Sequence, residues 1–315
     1  MYAWLVIFSA FRNGKLSVTY RDRYRHLSQA RERATTRRER TPPAAMASAA
    51  SVLGAKRAGF IGLGRLGICT ALKFEQAGWD ICGVDVFPSY VESINAKTLR
   101  SSEPGVNEAL RASKNLRATL SLRECVDHSD LVFILVATPT AAGDEAYDTT
   151  VLGKVLNDIA DLDPVNKHIV ICCTVLPGYI ANTGSYLLED CEGCTLSYNP
   201  EFIAQGAIMH GLSEPDVVLI GEGSEDAGDI LQSMYEEATA NQPRICRMSP
   251  QSAEIMKLSV NCFVTTKISY ANMVGDIADA TPGADKVSHP PPTSPSHPLL
   301  PPCPHRRKPG SDSST

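Results

Sequence analysis

The sequence predicts an α/β fold: a doubly wound parallel sheet with helices on both faces, followed by one long helix. Three observations carry this. From Ala58 onward, short apolar runs alternate with stretches of helical periodicity, the pattern of a parallel sheet built from strand, helix and strand units. A glycine-rich turn, Gly62-Leu63-Gly64-Arg65-Leu66-Gly67, falls at the first junction of strand and helix. After Pro250 no further proline or cluster of breakers interrupts the chain until about Ala280.

The elements follow in order. The first strand centres on Phe60-Ile61, a helix over Leu66 to Gln76 is closed by Gly78, and the second strand, Ile81 to Val84, ends at Asp85. Further strands are expected at Asp130 to Ala137, His168 to Cys173, Thr195 to Tyr198 and Asp216 to Ile220. Helices are expected near Val106 to Ala112, Thr149 to Leu162, Tyr179 to Glu189 and Glu225 to Ala238. Alternation of strand and helix on this scale means a parallel sheet covered by helices on both faces. Ser249 suits a cap and Pro250 the first turn of the final helix, which is longer than a usual packing helix. Its apolar set, Ile255, Leu258, Cys262, Ile268, Ala271, Val274 and Ile277, needs a partner surface, either a second domain or another subunit. From His289 onward the Pro-, Ser- and His-rich run has no periodicity and is expected to be disordered.

At 315 residues and 34.0 kDa the chain has room for one or two domains, and 43% hydrophobic with 21% charged residues is ordinary globular composition. The net charge of −5 is unevenly placed: residues 1–45 carry ten Lys or Arg against three acids. The remaining body is therefore acidic, which excludes a nucleic-acid surface as the first reading. The apolar run Tyr2 to Phe11 is too short to span a bilayer, so no membrane partner is expected. The Arg-rich stretch Arg21 to Arg40 suits an organelle presequence, but Asp22, Glu32 and Glu39 favour an untranslated leader ahead of a working start at Met46. Ten cysteines without framework spacing point to a reduced, cytoplasmic setting. Cys191-Glu-Gly-Cys194 is the one CxxC, and with no second pair beside it no metal is expected. The expected division is a basic leader over 1–45, a cofactor domain over 46–248, a connecting and dimerisation helix over 249–284 and a tail over 285–315.

The chemistry begins at the glycines. Gly62 permits the strand-to-helix turn, Gly64 lets backbone approach a diphosphate, and Gly67 lets helix and strand pack, so the phosphates meet a helix N-terminus. Asp85 at the end of the second strand can bind both ribose hydroxyls and repel a 2'-phosphate, which predicts NAD over NADP. Thr138-Pro139 closes a strand within reach of the cofactor, although Pro139 equally suits loop punctuation. Lys257 and Asn261, four apart on one helix, can converge on one oxygen as charge develops, or can simply face solvent. Glu201 follows Pro200 at a strand end, where open parallel sheets build their sites, or serves as a carboxylate at a helix N-terminus.

Together the motifs resemble the UDP-glucose/GDP-mannose 6-dehydrogenase family from about Ala58 to Ala284. The ordered series is Gly62 to Gly67, Val84-Asp85-Val86, Glu103-Pro104-Gly105, Ser129 to Pro139, Thr174-Val-Leu-Pro-Gly178, Asn199-Pro-Glu-Phe202, Pro215 to Gly221 and Ala253-Glu-Ile-Met-Lys257 with Asn261. The resemblance implies an NAD-dependent enzyme that oxidises the sugar C6 hydroxyl twice, through an aldehyde and a cysteine thioester. It assigns Thr174 to the nicotinamide and catalytic water, Glu201 to acid–base work at thioester hydrolysis, and Lys257 with Asn261 to oxyanions. Cofactor contacts are implied for Gly62, Leu63, Gly64, Arg65, Leu66, Gly67, Asp85, Ala137, Thr138, Thr174 and Gln205. Substrate contacts are implied for Glu201, Phe202, Ile203, Ala204, Lys257 and Asn261.

UDP-glucose is the expected substrate, with GDP-mannose as the alternative, and the full-length form is expected to be a homo-oligomer. A β-hydroxyacid dehydrogenase would share the glycine turn and the Lys257–Asn261 helix, but Asn199-Pro-Glu-Phe202 and Glu103-Pro-Gly105 decide against it. Three positions depart from the pattern: Tyr90 replaces a basic residue, Gln205 an acid, and Val217 an Arg. The Gly-Gly-Ser-Cys stretch of the family does not occur here, and Cys303 in Pro-Pro-Cys-Pro-His has no scaffold to activate a thiolate. The expectation is a chain truncated before the nucleophile and the nucleotide-sugar domain, able to bind NAD and unable to complete the reaction.

Overall fold

The computed structural model describes residues 56–141, 146–203 and 206–284. The expectations for the leader, the tail, Ala204, Gln205 and Cys303 lie outside the described residues. Two compact units are present, one ending at Leu258 and the other beginning at Ser259.

The first unit is built on an eight-stranded sheet. In chain order its elements are β1 (Arg57–Ile61), α1 (Arg65–Gln76), β2 (Asp80–Val84), α2 (Pro88–Asn95), α3 (Val106–Ala112), β3 (Leu116–Thr119), α4 (Leu122–His128) and β4 (Leu131–Ile134). They continue with α5 (Thr150–Ala160), β5 (His168–Ile171), a π-helical turn (Ile180–Gly184) running into α6 (Ser185–Leu187), β6 (Thr195–Tyr198), α7 (Ile208–Ser213), β7 (Val217–Gly221), α8 (Glu225–Ala238) and β8 (Arg244–Met248). The strand order is β3-β2-β1-β4-β5-β6-β7-β8. Strands β1 to β6 are parallel, with Ile61 level with both Val84 and Ile134.

The expected doubly wound sheet is present and mostly parallel; toward its last edge β7 pairs antiparallel with β6 through Tyr198 and Gly221, and β8 runs parallel to β7. A strand buried on both faces reads as the same apolar run in either direction, so its sense is not encoded in the run itself.

Side-chain alternation divides the sheet into two cores. Phe60, Phe133, Val170, Val218 and Ile220 face one cluster with α1 and α8, while Ile61, Val132, Ile134, Ile169, Ile171 and Leu219 face another with α4 and α5. On the first face Phe60 stacks on Phe133 at 4.8 Å and Phe74 meets the Tyr235 ring edge-on at 5.3 Å. That packing orients Tyr235 of α8. Local signals set the helix starts: Ser121 caps α4 by accepting from the Glu124 amide, and Ser224 caps α8 by accepting from Ala227.

The last helix, α9 (Pro250–Ala280), starts at Ser249, whose hydroxyl accepts from the Ser252 amide. Its first turns belong to the first unit, where Ala253, Glu254, Lys257 and Leu258 are buried. The second unit holds the distal helix, in which Phe263, Val264, Ile268, Tyr270, Met273 and Ile277 are exposed.

Candidate active site

The parallel strands place the turns after β1, β2, β4, β5 and β6 at one edge of the sheet, where α/β folds bind ligands. At the first of these turns Gly62 has φ of +93°, and a Cβ there would lie 2.6 Å from the Leu135 carbonyl. A Cβ on Gly67 would lie 2.0 Å from the Gly62 carbonyl, so the helix can approach the strand only with glycine at that position. A Cβ on Gly64 would meet nothing within 4 Å. That residue faces open space at the start of α1, whose N-terminus no side chain caps. The first-turn amides and the helix dipole fit a diphosphate.

Leu63, at the centre of the turn, is held from both sides. Its amide donates to Asp85 Oδ2 at 3.1 Å, and its carbonyl accepts from the Tyr90 hydroxyl at 2.8 Å. The other Asp85 oxygen accepts from the Phe87 amide at 3.3 Å. Burial pushes the Tyr90 phenol up to about 12, so it remains a donor at ordinary pH. Tyr90, a departure from the expected basic residue, thus fastens the fingerprint turn. Asp85 sits at the end of β2 with its carboxylate already aimed at the turn, a position that fits an adenine ribose.

The second cluster forms after β6. Glu201 is partly buried, and its Oε1 lies 3.1 Å from the Tyr235 hydroxyl, which also lies 2.7 Å from Asn199 Oδ1. Lys257 donates from Nζ to the Glu201 carbonyl and stands 4.4 Å over the Phe202 ring. Burial raises the Glu201 carboxyl to about 7, against the opposing pulls of Tyr235 and Lys257. Burial also lowers the Lys257 ammonium, with Glu201 opposing it. A carboxyl that titrates near neutrality beside a buried cation can both exchange a proton and meet negative charge.

Two further carboxylates arrange the loops. Glu254 Oε2 accepts from the Gly178 amide at 2.6 Å and Oε1 from Ile180 at 2.7 Å, which fixes the segment after Thr174. Glu103, buried, accepts from the Gly206 amide with both oxygens at 2.9 and 3.0 Å, and Arg65 lies 4.0 Å from it.

The structure therefore brings Glu201, Phe202 and Lys257 together, and gathers Gly62 to Gly67 with Asp85. Ala137 and Thr138 follow β4, and Thr174 follows β5, at the same edge. Ile203 packs against the first core cluster. Asn261 falls in the second unit, exposed, with its carbonyl accepting from the Thr265 hydroxyl. Sequence reasoning missed Tyr235, Glu254 and the role of Tyr90. Glu254 stood inside a motif already noted, whereas nothing local marks Tyr235. Cys172, just past β5, is buried with its thiol pushed up by burial and by Glu201, which makes it a core residue rather than a nucleophile. The Cys194 thiol is lowered to about 7, first by a hydrogen bond from Cys191. Among the described residues no group of three or more His, Cys, Asp or Glu is placed to hold a metal.

Glycine turn, open helix N-terminus and strand-end aspartate at one sheet edge define a Rossmann domain that takes NAD. The chain belongs to the UDP-glucose/GDP-mannose dehydrogenase family, whose NAD binding domain is matched by residues 56–239. It is 34% identical over 240 residues to the GDP-mannose 6-dehydrogenase of Pseudomonas savastanoi pv. phaseolicola, covering 71% of this chain and 53% of that protein. It is 27% identical over 231 residues to the UDP-glucose 6-dehydrogenase of Rickettsia bellii, covering 72% and 52%. The structure resembles a ternary complex of GDP-mannose dehydrogenase from Pseudomonas aeruginosa, with TM-score 0.68 and 28% identity over 74% of this chain and 55% of that one. It also resembles a UDP-glucose dehydrogenase from Pyrobaculum islandicum, with TM-score 0.66 and 29% identity over 72% and 54%. The chain spans about half the length of the curated relatives it matches.

Proposed function

We propose that this chain supplies the cofactor-binding and proton-handling half of an NAD-dependent nucleotide-sugar 6-dehydrogenase. The observation that carries this reading is the pairing of Glu201 with Lys257 at the sheet edge that also bears the fingerprint turn. A bound NAD would supply the hydride acceptor for the sugar carbon. The Gly62 to Gly67 turn would hold the diphosphate and Asp85 the adenine ribose, with Ala137, Thr138 and Thr174 toward the nicotinamide end. Glu201 gives and takes the proton at the C6 oxygen, and Lys257 meets the negative charge that develops there. Phe202 and Ile203 would border the sugar.

As substrate we place GDP-mannose ahead of UDP-glucose, in contrast to the sequence expectation. What favours it is identity: 34% to a GDP-mannose 6-dehydrogenase against 27% to a UDP-glucose 6-dehydrogenase. Residues 46–248 form the cofactor domain in this reading, 249–284 the connecting and pairing helix, and the working form is a cytoplasmic homo-oligomer. No helix among the described residues is long and apolar enough to cross a membrane.

A chimera tests the reading. Residues 56–284, joined to the remaining half of the Pseudomonas savastanoi enzyme, are expected to reduce NAD with GDP-mannose faster than with UDP-glucose, and to lose turnover on Glu201→Gln. A folded chimera that binds NAD and oxidises neither sugar would leave the chain an NAD-binding fragment.

A further inference from the structure

The surroundings of Glu201 contain one proton fewer than their acceptors need. Asn199 and Tyr235 are 1% and 4% exposed, which keeps their polar atoms away from bulk water. Asn199 Nδ2 donates to the Leu219 carbonyl at 2.9 Å. A carbonyl only accepts, which fixes the orientation of the amide and turns Asn199 Oδ1 toward the Tyr235 hydroxyl at 2.7 Å. Glu201 Oε1 lies 3.1 Å from the same hydroxyl. Tyr235 has one proton for two acceptors.

With Glu201 neutral, every partner is satisfied. The Glu201 acid donates to the Tyr235 oxygen, Tyr235 donates to Asn199 Oδ1, and Asn199 donates to Leu219. With Glu201 ionised, the hydroxyl swings to the carboxylate, and Asn199 Oδ1 gives up its Tyr235 donor, an unfavourable exchange in the core. We propose that the Tyr235 hydroxyl is a two-position rotor, set by Asn199, that governs when Glu201 holds its proton. This rests on the reading of Glu201 as the acid–base group above, and makes Tyr235 and Asn199 positioning residues for that step.

The other groups facing Glu201 are Lys257 from α9, whose charge favours ionisation, and the buried Cys172 thiol past β5. Burial holds Glu201 at about 7, where both rotor positions are populated at neutral pH. No metal, cofactor or substrate is required for the rotor to act.

The test is an NMR titration of the Glu201 carboxyl in the full chain, labelled in glutamate and assigned with Glu201→Gln. Asn199→Leu removes the competing acceptor and is expected to weaken proton affinity at Glu201 about tenfold, or one pKa unit. Tyr235→Phe removes the donor to the ionised form and is expected to strengthen it. Added to Tyr235→Phe, Asn199→Leu is expected to change nothing further. An Asn199→Leu effect that persists without the hydroxyl overturns the rotor, as does a Tyr235→Phe titration that matches wild type. The second criterion stands even where Asn199→Leu does not fold. The readout is independent of turnover, which tests the proposed reaction alone.

Discussion

Glu254 and Lys257 stand one turn apart near the start of α9 and fasten two different loops of the site. Glu254 takes the Gly178 and Ile180 amides, and Lys257 holds the Glu201 carbonyl. The first turns of this helix thus set the distance between the segment after Thr174 and the segment bearing Glu201. Glu254 and Lys257 lie on the buried side, with Ala253 and Leu258 packed beside them.

Glu254→Gln should expose this clasp. A glutamine turns an N–H group toward backbone amides that need acceptors, leaving a buried donor unsatisfied at about 1–3 kcal/mol. For a domain of this size that lowers Tm by several degrees, measured by calorimetry, with NAD affinity little changed.

Glu201 makes stability depend on pH in a stated direction. Its folded carboxyl titrates at about 7 against an ordinary 4.5, so the folded state binds more protons than the unfolded state between those values. Stability contributed by this group is full below about 4.5 and falls as pH rises to about 7, by at most about 3 kcal/mol. The Tm of Glu201→Gln relative to wild type should therefore climb from pH 5 to pH 8, roughly the window those pKa values set. A Tm of the variant that falls relative to wild type over that range contradicts the assignment.

Tyr90→Phe removes the hydroxyl that holds the Leu63 carbonyl. The lost hydrogen bond is worth about 0.5–1.5 kcal/mol, and the loosened turn should weaken NAD binding several-fold by titration calorimetry. Asp85 still holds the Leu63 amide, so binding is reduced rather than abolished.

Ile268 and Ile277, 53% and 57% exposed on the distal helix, should drive self-association. Burying each such side chain is worth roughly 1.5–3 kcal/mol. Light scattering is expected to show concentration-dependent association, and Ile268→Glu with Ile277→Glu to give a monomer. A wild-type monomer at all concentrations contradicts the pairing role.

Much of this architecture was legible in the residues. The glycine spacing and Asp85 fixed the first strand, helix and strand because each demands a backbone geometry that only those residue types serve. Elements with weak local signals were not legible. β8 (Arg-Ile-Cys-Arg-Met) carries two arginines in five residues, and Arg247 is there to pair Glu222 and Asp229 rather than to fill a core. α7 is six residues long and interrupted by Gly211. β3 is an edge strand in which only Ala118 is buried. The Tyr235 contact with Glu201 joins positions 34 apart through the packing of α8 on the sheet, a pairing that no local periodicity encodes.

The central claim, an NAD domain whose selectivity resides in Asp85, is tested most directly by titration calorimetry of the chain with NAD and with NADP. A carboxylate beside a 2'-phosphate adds repulsion and loses ribose hydrogen bonds, on the order of a hundredfold or more in affinity. The account predicts heat from NAD binding, at least that much weaker binding of NADP, and a narrowed gap in Asp85→Ser. Equal dissociation constants for the two nucleotides would contradict it.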